Sequence, residues 1–418
     1  MTSTVITKIV SQHAEEAAFL WLLRSNAIRQ PHYALKDLAK LDDRIEAHLD
    51  GLRVAGEPGW DLCKTALGNE DKGEVFAASM MAFESGIESR IQAVLDVVQQ
   101  KPELSAGLVS ALGWIPFDQI ASQAQRMLRA ESPVQQTVGL AAYAVHRQDP
   151  GTALKHALSS TDLVLKARAL KAAGELGRIN LIPAIKAELT AEDLACRYWA
   201  AWSGTLLGEP AAIPVLQHLA ESGGARREQA CAMALRRMSV QEGQVWLKVL
   251  ASRPETFRLA VQAAGVIGDP AQISWLIQQM ANPAIARVAG ESFTFITGID
   301  LAYDDLDIDK PEGFESGPKE NPEDENVDMD PDEDLPWPNP QLIEKWWFTH
   351  RVQFTNGTRY LCGQPMTIES LNQVLRTGRQ RQRRAAAIEL AMRQPGTPLF
   401  NTSAPGFRQQ QLLGAKPY

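Results

Sequence analysis

The sequence predicts an all-α fold, a solenoid of stacked antiparallel helix pairs with an N-terminal helical cap and an acidic disordered insertion. Three observations predict it. Gly177, Gly208, Met238, Gly268 and Gly298 recur in steps of 30 to 31 residues, the length of one helix pair in a repeat array. The stretch before each of them (166–176, 197–207, 227–237, 257–267 and 287–297) is Ala-rich, and its apolar residues fall three and four apart, as in Ala169, Leu170, Ala173 and Leu176. That is the period of an amphipathic helix. After three of the turns a second helix is legible in Ile182-Pro183-Ala184-Ile185, Ile213-Pro214-Val215-Leu216 and Ile273-Ser274-Trp275-Leu276. Its prolines sit in the first turn, where the missing N–H does no harm. One helix pair cannot hide its apolar stripes alone, whereas stacking pairs buries a continuous core. Ala173, Leu176, Leu206 and Ile267 are expected inside that core.

The elements follow in chain order. Residues 1–104 are helical in pattern without repeat register and read as the cap, with the clearest helices at 14–23 and 35–52. The repeats occupy 105–300, the earliest of them degenerate, around Ala111-Leu112-Gly113-Trp114 and Leu140-Ala141-Ala142-Tyr143. Residues 301–335 hold fifteen Asp or Glu against Lys310 and Lys319, a charge of −13, and include Pro311, Pro318, Pro322 and Pro331. Such a composition cannot bury enough apolar surface to offset its chain entropy, so a mobile acidic loop is expected. In 336–418 a helical hairpin is expected at 368–375 and 381–392 around Thr377-Gly378, followed by an irregular tail from Pro395.

Hydrophobic residues make up 45% of the chain and charged residues 22%, as in folded globular proteins. The net charge of −8 argues against general polyanion binding, yet the chain outside the acidic stretch carries +5, enough for one basic face. Cys63, Cys196, Cys231 and Cys362 are far apart, with neither the paired spacing of zinc sites nor the density of a disulfide scaffold. Isolated thiols suit a reducing compartment. The first ten residues have no apolar h-region, and no window reaches the ~18–20 apolar residues of a bilayer span. A cytoplasmic location is expected.

Candidate chemistry is sparse. The seven histidines offer no H-E-x-x-H pair, and His13, followed by Glu15 and Glu16, has no second histidine in range. Asp305-Leu306-Asp307-Ile308-Asp309 starts like a calcium loop, but Lys310 stands where Gly is wanted and Ser316 where a bidentate Glu should be. Neither G-x-G-x-x-G nor G-x-x-x-x-G-K-S/T nor a G-x-S-x-G elbow occurs. No metal, no cofactor and no catalytic residues are expected. Trp199, Trp202, Trp246, Trp275, Trp346 and Trp347 stand at helical spacing among Ala, Leu and Ile and read as core fillers rather than stacking platforms. Arg376, Arg379, Arg381, Arg383 and Arg384 form the one compact basic cluster. Guanidinium groups suit phosphate or carboxylate, so its targets would be nucleic acid, an acidic partner or the acidic stretch itself, which at roughly 50 residues' separation explores on the order of 40 Å.

Several strings carry a resemblance. They are the run from His13 to Trp21, Leu41-Asp42-Asp43-Arg44, Ala47-His48-Leu49-Asp50-Gly51-Leu52, Ile296-Thr297-Gly298-Ile299-Asp300-Leu301, Gln380-Arg381-Gln382-Arg383-Arg384-Ala385 and Pro395-Gly396-Thr397-Pro398-Leu399-Phe400-Asn401. Through them the chain is similar, nearly end to end, to a bacterial HEAT-repeat family often encoded with type VI secretion components. The middle repeats resemble HEAT repeats of the phycobilisome-lyase-like class, which includes tetrapyrrole lyases and DNA glycosylases whose signatures are not evident here. The resemblance implies a setting and no active site. The expected function is a non-catalytic adaptor or scaffold for a protein partner, such as a secretion effector or spike component. The alternative is a nucleic-acid-binding or nucleic-acid-processing protein using the C-terminal Arg cluster. Second helices of such repeats line the concave side, so Lys186, Gln217, His218 and Gln278 are candidate partner contacts.

Overall fold

The structure, a computed structural model, describes residues 6–317 and 329–414. They are all-α and HEAT-like, with two two-stranded pairs of strands as the only sheet among the described residues. The chain makes two compact units, Met1–Glu209 with Gln394–Tyr418, and Pro210–Arg393. The second unit is inserted between the body of the first and its C-terminal segment.

In the first unit α1 (Thr7–Ala27) and α2 (Leu35–Ala55) form a hairpin, followed by α3 (Glu57–Ala66), α4 (Lys72–Ser85), α5 (Glu88–Gln100), α6 (Ser105–Trp114), α7 (Phe117–Leu128), α8 (Pro133–Val145), α9 (Thr152–Leu158), α10 (Leu163–Glu175), α11 (Ile182–Ala187) and α12 (Leu194–Leu207). Leu38, Leu41, Ile45, Leu49 and Leu52 repeat at three and four residues along α2, and all are buried. Trp21 stacks on Phe76 at 5.5 Å, and Trp114 meets the same ring edge-on at 5.4 Å. Successive repeats start alike: the Asp162 carboxylate accepts the Leu165 amide at 2.8 Å and Asp193 accepts that of Cys196 at 2.7 Å. Each such cap is worth about 1 kcal/mol.

The second unit holds α13 (Ala212–Glu221), α14 (Arg227–Arg237), α15 (Val240–Ala251), α16 (Pro254–Ile267), α17 (Ile273–Gln279), α18 (Ala286–Thr297), α19 (Pro340–His350), α20 (Ile368–Thr377) and α21 (Gln380–Arg393). β1 (Asp307–Ile308) pairs antiparallel with β2 (Trp337–Pro338), and β3 (Tyr360–Leu361) with β4 (Gln364–Pro365). The residues expected in the core are there, Ala173, Leu176, Leu206 and Ile267 all being buried. The periodic glycines end their helices in the left-handed region, with φ of 66° at Gly177, 97° at Gly208, 73° at Gly268 and 77° at Gly298. Met238 breaks the series because α14 ends there in extended backbone, φ −74° and ψ 152°, which any residue adopts.

Within each unit an irregular segment crosses the ends of the first helices. In the second unit Arg359 donates to the carbonyls of Arg236, Val266 and Ile267. The Tyr360 amide donates to Gly268 at 2.8 Å, and those of Cys362 and Gly363 to Phe295 and Ile296 at 2.8 and 3.0 Å. These carbonyls lie in or just after the last turns of α14, α16 and α18, where no N–H of the same helix remains to donate to them. In the first unit the segment after Gln394 plays the same part. The Leu399 amide donates to the Glu175 carbonyl at 2.9 Å, Asn401 to Val145 at 3.0 Å, and Arg408 to Gly113 and Trp114. This tail was expected to be irregular throughout. It is irregular to Pro405, then forms α22 (Gly406–Leu413), which packs on α2.

The acidic stretch was expected to be mobile, with the Arg376–Arg384 cluster within its reach. Its residues 318–328 lie outside the described residues, but both flanks are built into the second unit. Asp332, buried, takes a bidentate pair from Arg258 at 2.6 and 2.9 Å, and Asp330 pairs with Arg287 at 2.7 Å. Arg287 in turn lies 4.5 Å from the Trp337 ring centre and 5.5 Å from that of Phe314. The flanks are therefore held by α16 and α18, because guanidinium groups near the helix starts offer partners that composition alone does not reveal. Asp307 and Ile308 of the calcium-like string are in β1, an extended pairing rather than a closed loop.

Candidate partner-binding surface

The second helices are short and show their outer faces to solvent. On α11 Lys186 is exposed, with its amine 3.5 Å from Glu209. On α13 Gln217 is half-buried, while His218 is exposed and lies 3.3 Å from the Ser222 hydroxyl. On α17 Gln278 is exposed. Lys186 belongs to the first unit and the other three to the second.

Between α13 and α17 the sequence reading left a gap that α15 fills. Trp246, Leu247 and Leu250 are buried, whereas Val245 and Val249, one turn apart, are 65% and 39% exposed. Glu221, at the end of α13, fixes this helix in place by accepting from the Trp246 indole at 2.8 Å and from Arg253 at 3.1 Å. The Gln244 amide also bonds Asp269, just ahead of α17. Val245 and Val249 were missed because Met238 breaks the glycine series. The signal was present: Val240, Val245, Trp246, Leu247, Val249 and Leu250 are more apolar residues than one face of a helix can bury.

The arginine cluster does not form the basic patch its spacing suggested. Arg383 is completely buried, donating from Nε to the Leu375 carbonyl at 2.8 Å and from its fork to Gln380. It is unavailable to any partner. Arg379 pairs with Asp300 at 3.0 Å and Arg381 with Glu291 at 2.7 Å, while Arg376 and Arg384 are exposed. A run of arginines around a helix start points in several directions at once, since neighbouring residues on a helix diverge by about 100°.

Thiol chemistry finds no support. Burial pushes the Cys63 and Cys362 thiols up to about 12, burial and the Asp193 carboxylate do the same at Cys196, and Cys231 is raised by burial as well. Thiolates are the reactive form. Among the described residues no group of three or more His, Cys, Asp or Glu is gathered that could hold a metal ion. The tertiary fold does unite one pair that the sequence reading kept apart: His13 on α1 and His48 on α2 meet with their Nδ1 atoms 3.2 Å apart.

Comparison with known protein families finds a match in the middle of the chain, where residues 151–236 are similar to HEAT repeats. No curated protein and no solved structure matches the chain. HEAT repeats commonly mediate protein interaction, and no helix among the described residues is long and apolar enough to cross a membrane.

Proposed function

We propose that this HEAT-repeat protein is a non-catalytic adaptor or scaffold that binds a protein partner on the second-helix face of its second unit. The observation that carries the reading is the exposed pair Val245 and Val249 on α15, with His218 on α13 and Gln278 on α17 as polar surroundings. An apolar centre with a polar rim is the composition of a specific protein interface. The partner proposed is a component of a type VI secretion system, an effector or spike protein, and the compartment proposed is the cytoplasm. The end-to-end resemblance of the strings from His13 to Asn401 supports that setting. The nucleic-acid reading loses its main support because Arg383 is buried and Arg379 and Arg381 pair within the chain.

A photo-crosslinking residue at position 245, followed by mass spectrometry of the captured species, tests the proposal. A single stoichiometric protein, lost on Val249→Asp with folding unchanged, is the expected result. Recovery of nucleic acid with no stoichiometric protein, or capture that Val249→Asp leaves intact, overturns it.

A further inference from the structure

The α1–α2 hairpin brings together two imidazoles that the partner-binding surface does not use. His13 and His48 are both half-buried, their ring centres are 5.3 Å apart, and the ring planes are inclined at 64°. The two Nδ1 atoms face each other at 3.2 Å. Two nitrogens bound to one ion at about 2.0–2.1 Å, with an angle of about 90–109° between the bonds, stand about 2.9–3.4 Å apart, so the observed spacing is that of two adjacent ligands. We propose that His13 and His48 form a two-imidazole site for a divalent transition-metal ion of the zinc, nickel and copper class.

The pair is set by the packing of the hairpin. Gly51 lies directly under His13: a Cβ there would come within 2.5 Å of the imidazole Cδ2. Any other residue at 51 would displace the ring, and with it the spacing between the two nitrogens. Glu16 is three residues beyond His13, on the same face of α1. It offsets part of the ion's charge, while water completes the coordination. Imidazole donors select Zn2+, Ni2+ and Cu2+ over the hard cations Mg2+ and Ca2+. The site would cross-link two helices, so its occupancy stabilises the hairpin by mass action.

The test uses the full-length chain without an affinity tag. Titration calorimetry with zinc chloride should give one ion per chain. His13→Gln and His48→Gln should each weaken binding by more than the 10- to 100-fold that loss of an outer-shell partner costs, with the helical circular dichroism of both variants unchanged. Magnesium chloride should give no heat. Electron paramagnetic resonance of the wild-type chain loaded with one equivalent of Cu2+ needs no variant and should show two coupled imidazole nitrogens. The proposal is overturned if zinc binds the His13→Gln/His48→Gln double variant as well as the wild type, or if the copper spectrum shows fewer than two nitrogens. The pair is then a histidine–histidine hydrogen bond only.

Discussion

Asp42→Ala should loosen the C-terminal segment of the first unit, although the two are more than 360 residues apart in sequence. Asp42 and Arg24 are both buried and pair at 2.5 Å. Arg24 also donates to the Ser403 carbonyl at 3.2 Å and to that of Ala404 at 3.0 Å, while Asp42 accepts the Gly406 amide at 2.5 Å. Removing the carboxylate strands a buried guanidinium, which costs about 3–5 kcal/mol, and leaves a buried amide without an acceptor, about 1 kcal/mol more. Burial pushes the Asp42 carboxyl up despite the Arg24 charge, a sign that desolvation takes back much of the pair's attraction. Arg24→Met/Asp42→Leu should therefore cost less than Asp42→Ala alone, retaining the roughly 1–3 kcal/mol of the unsatisfied Ser403 and Ala404 carbonyls and the about 1 kcal/mol of the unpaired Gly406 amide but not the stranded guanidinium. Hydrogen exchange at Gly406 and Gln409 reports the local effect, and urea unfolding the global one. If Asp42→Ala leaves Gly406 exchange unchanged and costs under about 1 kcal/mol, the segment is not anchored by this pair and the reasoning fails.

Other perturbations follow the same logic. Gly268→Ala should cost at least about 1–2 kcal/mol for its left-handed backbone and release the Tyr360 amide, because the new Cβ would collide with the Tyr360 carbonyl; unchanged exchange at Tyr360 would contradict this. Arg383→Ala should destabilise the second unit by roughly 3 kcal/mol through a cavity and the lost bond to Leu375, without altering retention on heparin, whereas Arg376→Ala should leave stability within about 0.5 kcal/mol. Acid should act on the first unit in two steps. Burial and the Arg408 charge lower His146 to about 4, against the hydrogen bond to the Leu112 carbonyl, so its contribution is present above pH 6.5 and lost as pH falls through about 4. Burial alone would raise Glu175, but Arg168, Lys171 and Arg147 hold it at about 2; its contribution, on the order of 3 kcal/mol, is present above pH 4.5 and lost toward pH 2. Thermal melts of His146→Gln and Glu175→Gln against pH should each lose the corresponding step.

How much of this was legible depended on how far apart the interacting residues lie in the chain. The helix pairs, their 30-residue register, the turns at Gly177, Gly208, Gly268 and Gly298 and the burial of Ala173 and Leu206 were readable, because each follows from neighbours within about one helical repeat. The structure adds that Gly177 and Gly298 also leave room for a crossing chain, a Cβ at either falling within 2.6 Å of Gly396 or Cys362. The two crossing segments, the seating of Asp330 and Asp332 on Arg287 and Arg258, the burial of Arg383 and the meeting of His13 with His48 were not readable. The sequence by itself determined a repeating helical protein with an acidic stretch, since local periodicity sets which face of each helix must leave water. Only the tertiary structure decided where the polar groups find partners, because a buried charge or an unpaired helix carbonyl is satisfied by whatever the fold brings within about 3 Å, at any separation along the chain.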